Sequence, residues 1–151
     1  MNAMNTKQRL ESDLKDAMRT KDDLRKRTLR MALSSIQLAE VDKGGELDDQ
    51  AVIAAVQKEI KSRHETIEDA ERAGRLDMIE NAKAEITVLE TYLPQPFSED
   101  ELEQLACQAI AEAGASSPKE MGQVMKILLP RLQGRATGSE ASQAVRKLLG
   151  A

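Results

Sequence analysis

The stretch Leu89–Glu101, LETYLPQPFSEDE, decides how the chain is divided. Pro94 and Pro96 stand two apart. Proline has no backbone donor and crowds the turn before it, so no helix continues through this pair, and the segment is stiff and extended. Ser98-Glu99-Asp100-Glu101 then has the form of a capping box, in which serine and glutamate each satisfy a free N–H at a helix start. The prolines therefore predict a boundary. An N-terminal helical part covers residues 4–93, a linker residues 94–97, and a C-terminal helical part residues 98–151.

Working back from the boundary, Leu76, Ile79, Lys83, Ile86, Leu89 or Glu90, and Leu93 recur about every 3.5 residues, the spacing of a coiled-coil seam. Ahead of them a helix opens at Asp48 or Asp49 and runs to about Ala73. It is polar except for Val52, Ile53, Val56, Ile60, Ile67 and Ala70, and one narrow stripe predicts a single partner helix. Gly74 separates the two, which form a long antiparallel hairpin. Further back, Asn5 or Thr6 caps a helix to about Arg19 with Leu10, Leu14, Ala17 and Met18 on one face. Another helix follows from about Asp22 to Glu40. Its inner side holds Leu24, Thr28, Met31, Ala32, Ser35, Ile36 and Ala39, and its other side Arg25, Lys26, Arg27 and Arg30. Asp42-Lys43-Gly44-Gly45 breaks the chain.

Past the boundary, Leu102, Leu105, Ala106, Ala109, Ile110 and Ala113 line a helix that Gly114 closes. Ser117-Pro118-Lys119-Glu120 is a second start signal. Behind it, in Met121–Gly138 (MGQVMKILLPRLQGRATG), Met121, Val124, Met125, Leu128 and Leu129 share a face. Pro130 ends or kinks this helix at Leu129. Gly122 costs a helix about 1 kcal/mol against alanine, which implies a close neighbouring backbone. A last helix spans about Ser139 to Leu149. The fold class is all-α and multihelical: a hairpin-bearing N-terminal part plus a small three-helix C-terminal subdomain.

Composition agrees. Of 151 residues 40% are apolar, but Tyr92 and Phe97 are the only aromatics, and Ala, Glu, Lys, Leu and Arg dominate. One cysteine permits no internal disulfide. No apolar run is long enough for a membrane span. The N-terminus lacks the blocks of a signal peptide, so a cytoplasmic location is the expectation. Met1–Ala3 precede a second methionine and are set aside. The net charge of −4 is uneven: +3 over residues 1–43, −6 over 44–96, −5 over 97–116 and +4 over 117–151. A basic end on an acidic chain can still bind anions.

Catalytic machinery is not legible. His64 is the sole histidine and sits on the polar rod beside Arg63 and Glu65, so a zinc site is not read. Cys107 has no histidine base in sequence reach and reads as a helix-face residue. Glu65, Glu68, Asp69 and Glu71 read as a solvated face. No glycine-rich phosphate loop is present. Aromatic platforms for unstructured single strands are missing, whereas shape and phosphate contacts to folded RNA need none. Metals and cofactors are therefore not expected. Lys126, Arg131 and Arg135 have two readings, a cationic edge facing phosphates or plain solvated charges. The Arg25–Arg30 cluster has the same two readings.

Several motifs occur together: Glu90-Thr91-Tyr92-Leu93-Pro94-Gln95-Pro96, Gly114-Ala115-Ser116-Ser117, Met121-Gly122-Gln123-Val124-Met125-Lys126 and Gly134-Arg135-Ala136-Thr137-Gly138. In their order and spacing the chain resembles the GatB/YqeY family, in its free-standing YqeY-like form, over about Met4 to Ala151. The resemblance implies an all-helical fold in two parts. A related module forms the tail of the B subunit of the tRNA-dependent amidotransferase, which converts Asp or Glu mischarged on tRNA into Asn or Gln. There the tail is implicated in holding tRNA, and the chemistry lies in other domains. Family-level labels accordingly read carbon–nitrogen ligase with glutamine as amido-N donor. Amide transfer needs a glutaminase nucleophile, an ATP and Mg²⁺ site and an ammonia route, none of them legible here. What the resemblance implies is a tRNA- or structured-RNA-binding role accessory to glutamine-dependent tRNA amidation. Its candidate contacts are Lys126, Arg131 and Arg135, with Gly134 and Gly138 allowing close backbone approach. Lys119, Arg146 and Lys147 widen the patch, and Arg25, Lys26, Arg27 and Arg30 form a secondary one. The alternatives are a protein-interaction adaptor and an amidotransferase-associated subunit. The expected partners are tRNA, an amidotransferase or another protein, and no membrane.

Overall fold

The structure, a computed structural model, describes residues 4–150; Met1–Ala3 lie outside the described residues. The fold is all-α. In order the helices are α1 (Thr6–Arg19), α2 (Asp23–Lys43), α3 (Asp49–Ala73), α4 (Leu76–Glu90), α5 (Glu99–Ala113), α6 (Met121–Leu132) and α7 (Gly138–Leu148). A 3₁₀ turn, Pro118–Glu120, precedes α6, and no strand occurs among the described residues. The chain divides into two compact units, one ending at Leu93 and one beginning at Pro94.

In the first unit, short polar side chains set the helix starts. Asn5 Oδ1 accepts from the Gln8 N–H at 2.8 Å, and Gln8 Oε1 accepts from the Asn5 N–H at 3.0 Å. Asp22 and Asp48 cap α2 and α3 on one side only, accepting from the Arg25 and Ala51 N–H groups. Helix α2 passes the expected stop at Glu40 and ends at Lys43, where Gly44 takes the left-handed conformation at φ 81°. The core joins Leu10 of α1, Leu29 and Ile36 of α2, Val52 and Val56 of α3, and Leu89 of α4. Leu29 occupies the inner position on α2, while Met18 and Met31, expected inside, are half exposed.

Helices α3 and α4 form the antiparallel hairpin. However, α3 also packs on α1 and α2, so its stripe does not serve a single partner. Adjacent Val52 and Ile53 point to different sides and are both buried, which widens the stripe at that end. On α4 the seam runs through Ala82, Ile86 and Leu89, with Lys83 exposed and Leu76 73% exposed. The small Ala82 side chain fits where the repeat had placed Lys83.

Arg63 is only 5% exposed, a correction to its reading as part of a polar rod. It falls on the inner stripe, one turn after Ile60 and one before Ile67. Its Nε donates to Glu85 Oε2 of α4 at 2.9 Å. Its Nη1 donates to Glu59 Oε2 at 2.7 Å and to the Glu59 carbonyl at 3.0 Å. Its Nη2 lies 3.6 Å from the Met31 sulfur of α2. The Ser35 hydroxyl of α2 donates to the same Glu59 carboxylate. One guanidinium thereby ties three helices together.

The second unit is a three-helix bundle with mutual α5, α6 and α7 contacts. Ala106 and Ala109 on α5 pack with Val124, Leu128 and Leu132 on α6 and with Ala141 and Val145 on α7. Ser98 caps α5, accepting from the Glu101 N–H at 3.1 Å, but the Glu101 carboxylate turns away to Arg135, so the box closes on one side only. The second box does not form. Ser117 makes no side-chain cap, and Glu120 instead accepts from the Ser116 N–H at 2.8 Å, over the 3₁₀ turn. Helix α6 continues through Pro130 to Leu132. Pro130 faces solvent, and burying Leu132 one turn after Leu128 outweighs one lost hydrogen bond. A Cβ on Gly122 would meet nothing within 4 Å, so no backbone approaches there.

Arg63→Ala leaves Glu59 and Glu85 with no cation between them, and the expected loss is about 3–5 kcal/mol of stability, read by urea unfolding. A pH-dependent effect is expected at Glu40, whose carboxyl is held below its ordinary value of 4.5, chiefly by a hydrogen bond from Lys7 and then by the Leu47 N–H. A depressed folded value means that its stabilisation is present above about pH 4.5 and is lost as pH falls through the folded value. Glu40→Gln should therefore lower stability at pH 7 and flatten the acid limb of a stability–pH profile.

Candidate nucleic-acid interface

The residues of the Met121–Gly138 stretch reach their positions through α6 and the turn after it. Gln133 and Gly134 are both left-handed, at φ 49° and 77°, and this pair reverses the chain behind Leu132. Thr137 then caps α7, accepting from the Glu140 N–H at 3.1 Å. Gly138 is the first residue of α7, and a Cβ there would make an ordinary contact, 3.7 Å, with Leu129. Gly134 thus shapes the turn, whereas a side chain would fit at Gly138.

Arg131 and Arg135 are both engaged within the unit. Arg131 forks onto Glu112 of α5 with two parallel hydrogen bonds, one of them Nη2 to Oε1 at 2.8 Å. These bonds hold the Glu112 carboxyl below the usual carboxylate range. Besides its own N–H, which donates to the Leu132 carbonyl at 2.9 Å, Arg135 makes four contacts. Its Nε donates to the Gln95 carbonyl at 2.8 Å and its Nη2 to Glu101 at 3.2 Å. Its guanidinium lies 4.0 Å over the Phe97 ring, and its own carbonyl accepts from the Phe97 N–H at 3.0 Å. Arg135 straps Gln95–Phe97 onto the three-helix unit.

The remaining cations of this unit are Lys119, Lys126, Arg146 and Lys147. All four are exposed, and none forms an ion pair with a described residue. Lys126 stands on the outer face of α6 among exposed Gln123, Leu129 and Pro130. Arg146 and Lys147 sit in the last turn of α7, where positive charge also suits the helix dipole.

The secondary cluster splits. Arg25 turns toward α1, with Asp16 at 3.1 Å and Asp13 at 3.7 Å. Lys26 pairs with Asp23 at 3.6 Å. Arg30 reaches the Met18 sulfur at 3.9 Å, and Arg27 is exposed without an ion pair to a described residue. Asp13 also accepts from the Tyr92 hydroxyl at 2.5 Å, and Arg9 lies 5.1 Å from the Tyr92 ring centre. Burial first and Asp13 second push the Tyr92 hydroxyl well above its ordinary range. Tyr92 is thereby committed to the core of the first unit. His64 and Cys107 are exposed, and no group of three or more His, Cys, Asp or Glu among the described residues is placed to hold a metal.

Sequence reasoning missed Gln95, Phe97, Glu101 and Glu112 as partners of the arginines. Phe97 carried a signal, since the lone phenylalanine stands at the boundary and needs an apolar or cationic cover. Glu112 and Glu101 carried none, because their contacts cross between helices.

These features define an all-helical protein of two units, with a Pro-Gln-Pro segment at the start of the second. Within that class the chain belongs to the YqeY-like protein family, whose model matches residues 7–149. It is similar to proteins named "Altered inheritance of mitochondria protein 41, mitochondrial" in three fungi. The Pyrenophora tritici-repentis protein is 32% identical over 95% of this chain and 80% of its own length. The Lachancea thermotolerans protein is 38% identical over 72% of this chain and 60% of its own length. The Kluyveromyces lactis protein is 34% identical over 88% and 75%. The relatives' names overturn the cytoplasmic expectation, since each is named as mitochondrial. That expectation rested on missing signals, and a missing signal carries no address.

Arg135→Lys keeps the charge but loses the fork and the ring contact. The expected result is a loss of about 1–2 kcal/mol, read as faster hydrogen exchange at the Phe97 amide.

Proposed function

We propose that the chain is a non-catalytic module that binds tRNA or another structured RNA through its C-terminal unit, as an accessory to glutamine-dependent tRNA amidation. The observation that carries this reading is the division of labour among the cations. Lys119, Lys126, Arg146 and Lys147 are exposed and form no ion pair with a described residue, whereas Arg131 and Arg135 are committed to the fold. The phosphate contacts therefore move from the arginines to these four residues. Residues 117–151 carry +4, and free cations on a helical surface suit a phosphate backbone. Phe97 lies under Arg135 and Tyr92 is buried, so neither is a platform for splayed bases, and recognition by shape and backbone follows.

The test is binding of the full chain to bulk tRNA across a salt series. Each phosphate contact contributes roughly 0.7–0.9 to the slope of log affinity against log salt. Replacing Lys119, Lys126, Arg146 and Lys147 together by alanine should weaken binding and reduce that slope by roughly 3. Arg131→Ala should leave the slope nearly unchanged. No binding at low salt, or a quadruple variant that binds as tightly as the parent, would sink the reading. A second reading, a protein-interaction adaptor, is favoured by exposed apolar side chains on α2, Leu38 and Val41.

A further inference from the structure

A glycine inside a helix needs a reason, because it weakens the helix relative to alanine. Most glycines of this chain show theirs. Gly44, Gly74, Gly114, Gly134 and Gly150 are left-handed, a conformation that side chains rarely adopt. Gly45 lies in the turn between α2 and α3, and Gly138 is the first residue of α7. Gly122 alone among the described glycines lies within a helical run, the continuous turns of Pro118–Glu120 and Met121–Leu132. Its φ is outside the left-handed region, it is exposed, and a Cβ there would meet nothing within 4 Å. Nothing inside the chain calls for glycine at this position, so the reason lies in what the surface meets.

The surface around it suits an anionic chain. Lys126 and Leu129 follow four and seven residues on, so they share one face of α6 with Gly122. Lys126 is exposed, and Leu129 is 49% exposed. Lys119, three residues before Gly122, is exposed in the 3₁₀ turn. Neither lysine forms an ion pair with a described residue. The acids nearest this face along the chain, Glu120 and Glu140, are turned onto backbone N–H groups, those of Ser116 at 2.8 Å and Thr137 at 3.3 Å. Bare backbone at Gly122 lets a neighbouring chain come closer than a side chain would allow. The lysines before and after it supply the charge that a phosphate chain attracts, within residues 117–151 that carry +4. Leu129, roughly 10 Å further along α6 at 1.5 Å per residue, offers an apolar contact to sugar faces. We propose that Gly122 is the point of closest approach between this chain and the sugar–phosphate backbone of a folded RNA, with Lys119 and Lys126 on either side. The proposal rests on the RNA-binding reading above and assigns it a contact face.

The test is Gly122→Ala in the full chain, measured in two ways. Urea unfolding should show a more stable protein, since alanine is the better helix former and its Cβ has room. Binding to bulk tRNA at low salt should weaken at least about tenfold. The salt slope should stay nearly unchanged, because no cation is removed. A protein that is more stable yet binds more weakly separates a contact role from a structural one. If Gly122→Ala binds as tightly as the parent, the proposal is overturned while the RNA-binding reading stands. If the parent itself binds no tRNA at low salt, both fall. A Gly122→Ala protein less stable than the parent would also overturn the proposal, because the glycine would then serve the fold.

Discussion

A guanidinium buried on the inner stripe of α3 sets how the helices of the first unit meet. Arg63 sits between the carboxylates of Glu59 and Glu85, and Glu59 is held in turn by the Ser35 hydroxyl. Charges withdrawn from water are costly unless each finds a partner in good geometry. That demand is selective. Glu59 is one turn before Arg63 on the same helix, Glu85 comes from α4 and Ser35 from α2, so a shift of one residue in either packing would break the set. The apolar seam alone is less selective, because Leu76 is exposed and the other contacts are non-directional aliphatic packing of Ile60, Ile67, Ala82, Ile86 and Leu89. We attribute the register of the hairpin to the ion pairs and its bulk stability to apolar burial.

The second unit uses arginine in a related way at its surface. Planar forks suit bidentate carboxylates and aromatic faces, and Arg131 and Arg135 meet both kinds of partner. Lysine is a compact, hydrated charge that holds such geometry less well. The two lysines on and before α6 accordingly remain in solvent, together with the last-turn pair of α7. In the proposed RNA-binding role, the arginines hold the Pro-Gln-Pro segment and α5 in place, and the remaining cations meet phosphate. That proposal separates structural from binding charges residue by residue within one basic stretch.

Much of the fold was legible in local signals. Asp48 and Ser98 cap the helices they precede, and Gly74 and Gly114 end helices in the left-handed conformation. These are contacts within a few residues, which spacing and side-chain chemistry specify. Where the reading failed, a contact distant in sequence decided the outcome. Of the end or kink expected at Pro130, the end does not occur, because Leu132 is buried against the rest of the bundle. Lys83 gave way to Ala82 because α3 lies close. Arg63 was placed on the polar rod, although its place in the row Val56, Ile60, Ile67 and Ala70 was a visible clue. The candidate site was less legible. A charge that binds a ligand and one that pairs with a glutamate on the next helix look alike until the helices are packed, as Arg131 and Glu112 show.

The most direct measurement is a lysine-reactivity footprint, comparing acetylation at each lysine with and without tRNA by mass spectrometry. The account predicts protection at Lys119, Lys126 and Lys147, with little change at Lys15 and Lys21 of the first unit. Equal labelling of Lys119, Lys126 and Lys147 in both states, or protection confined to the first unit, would contradict it.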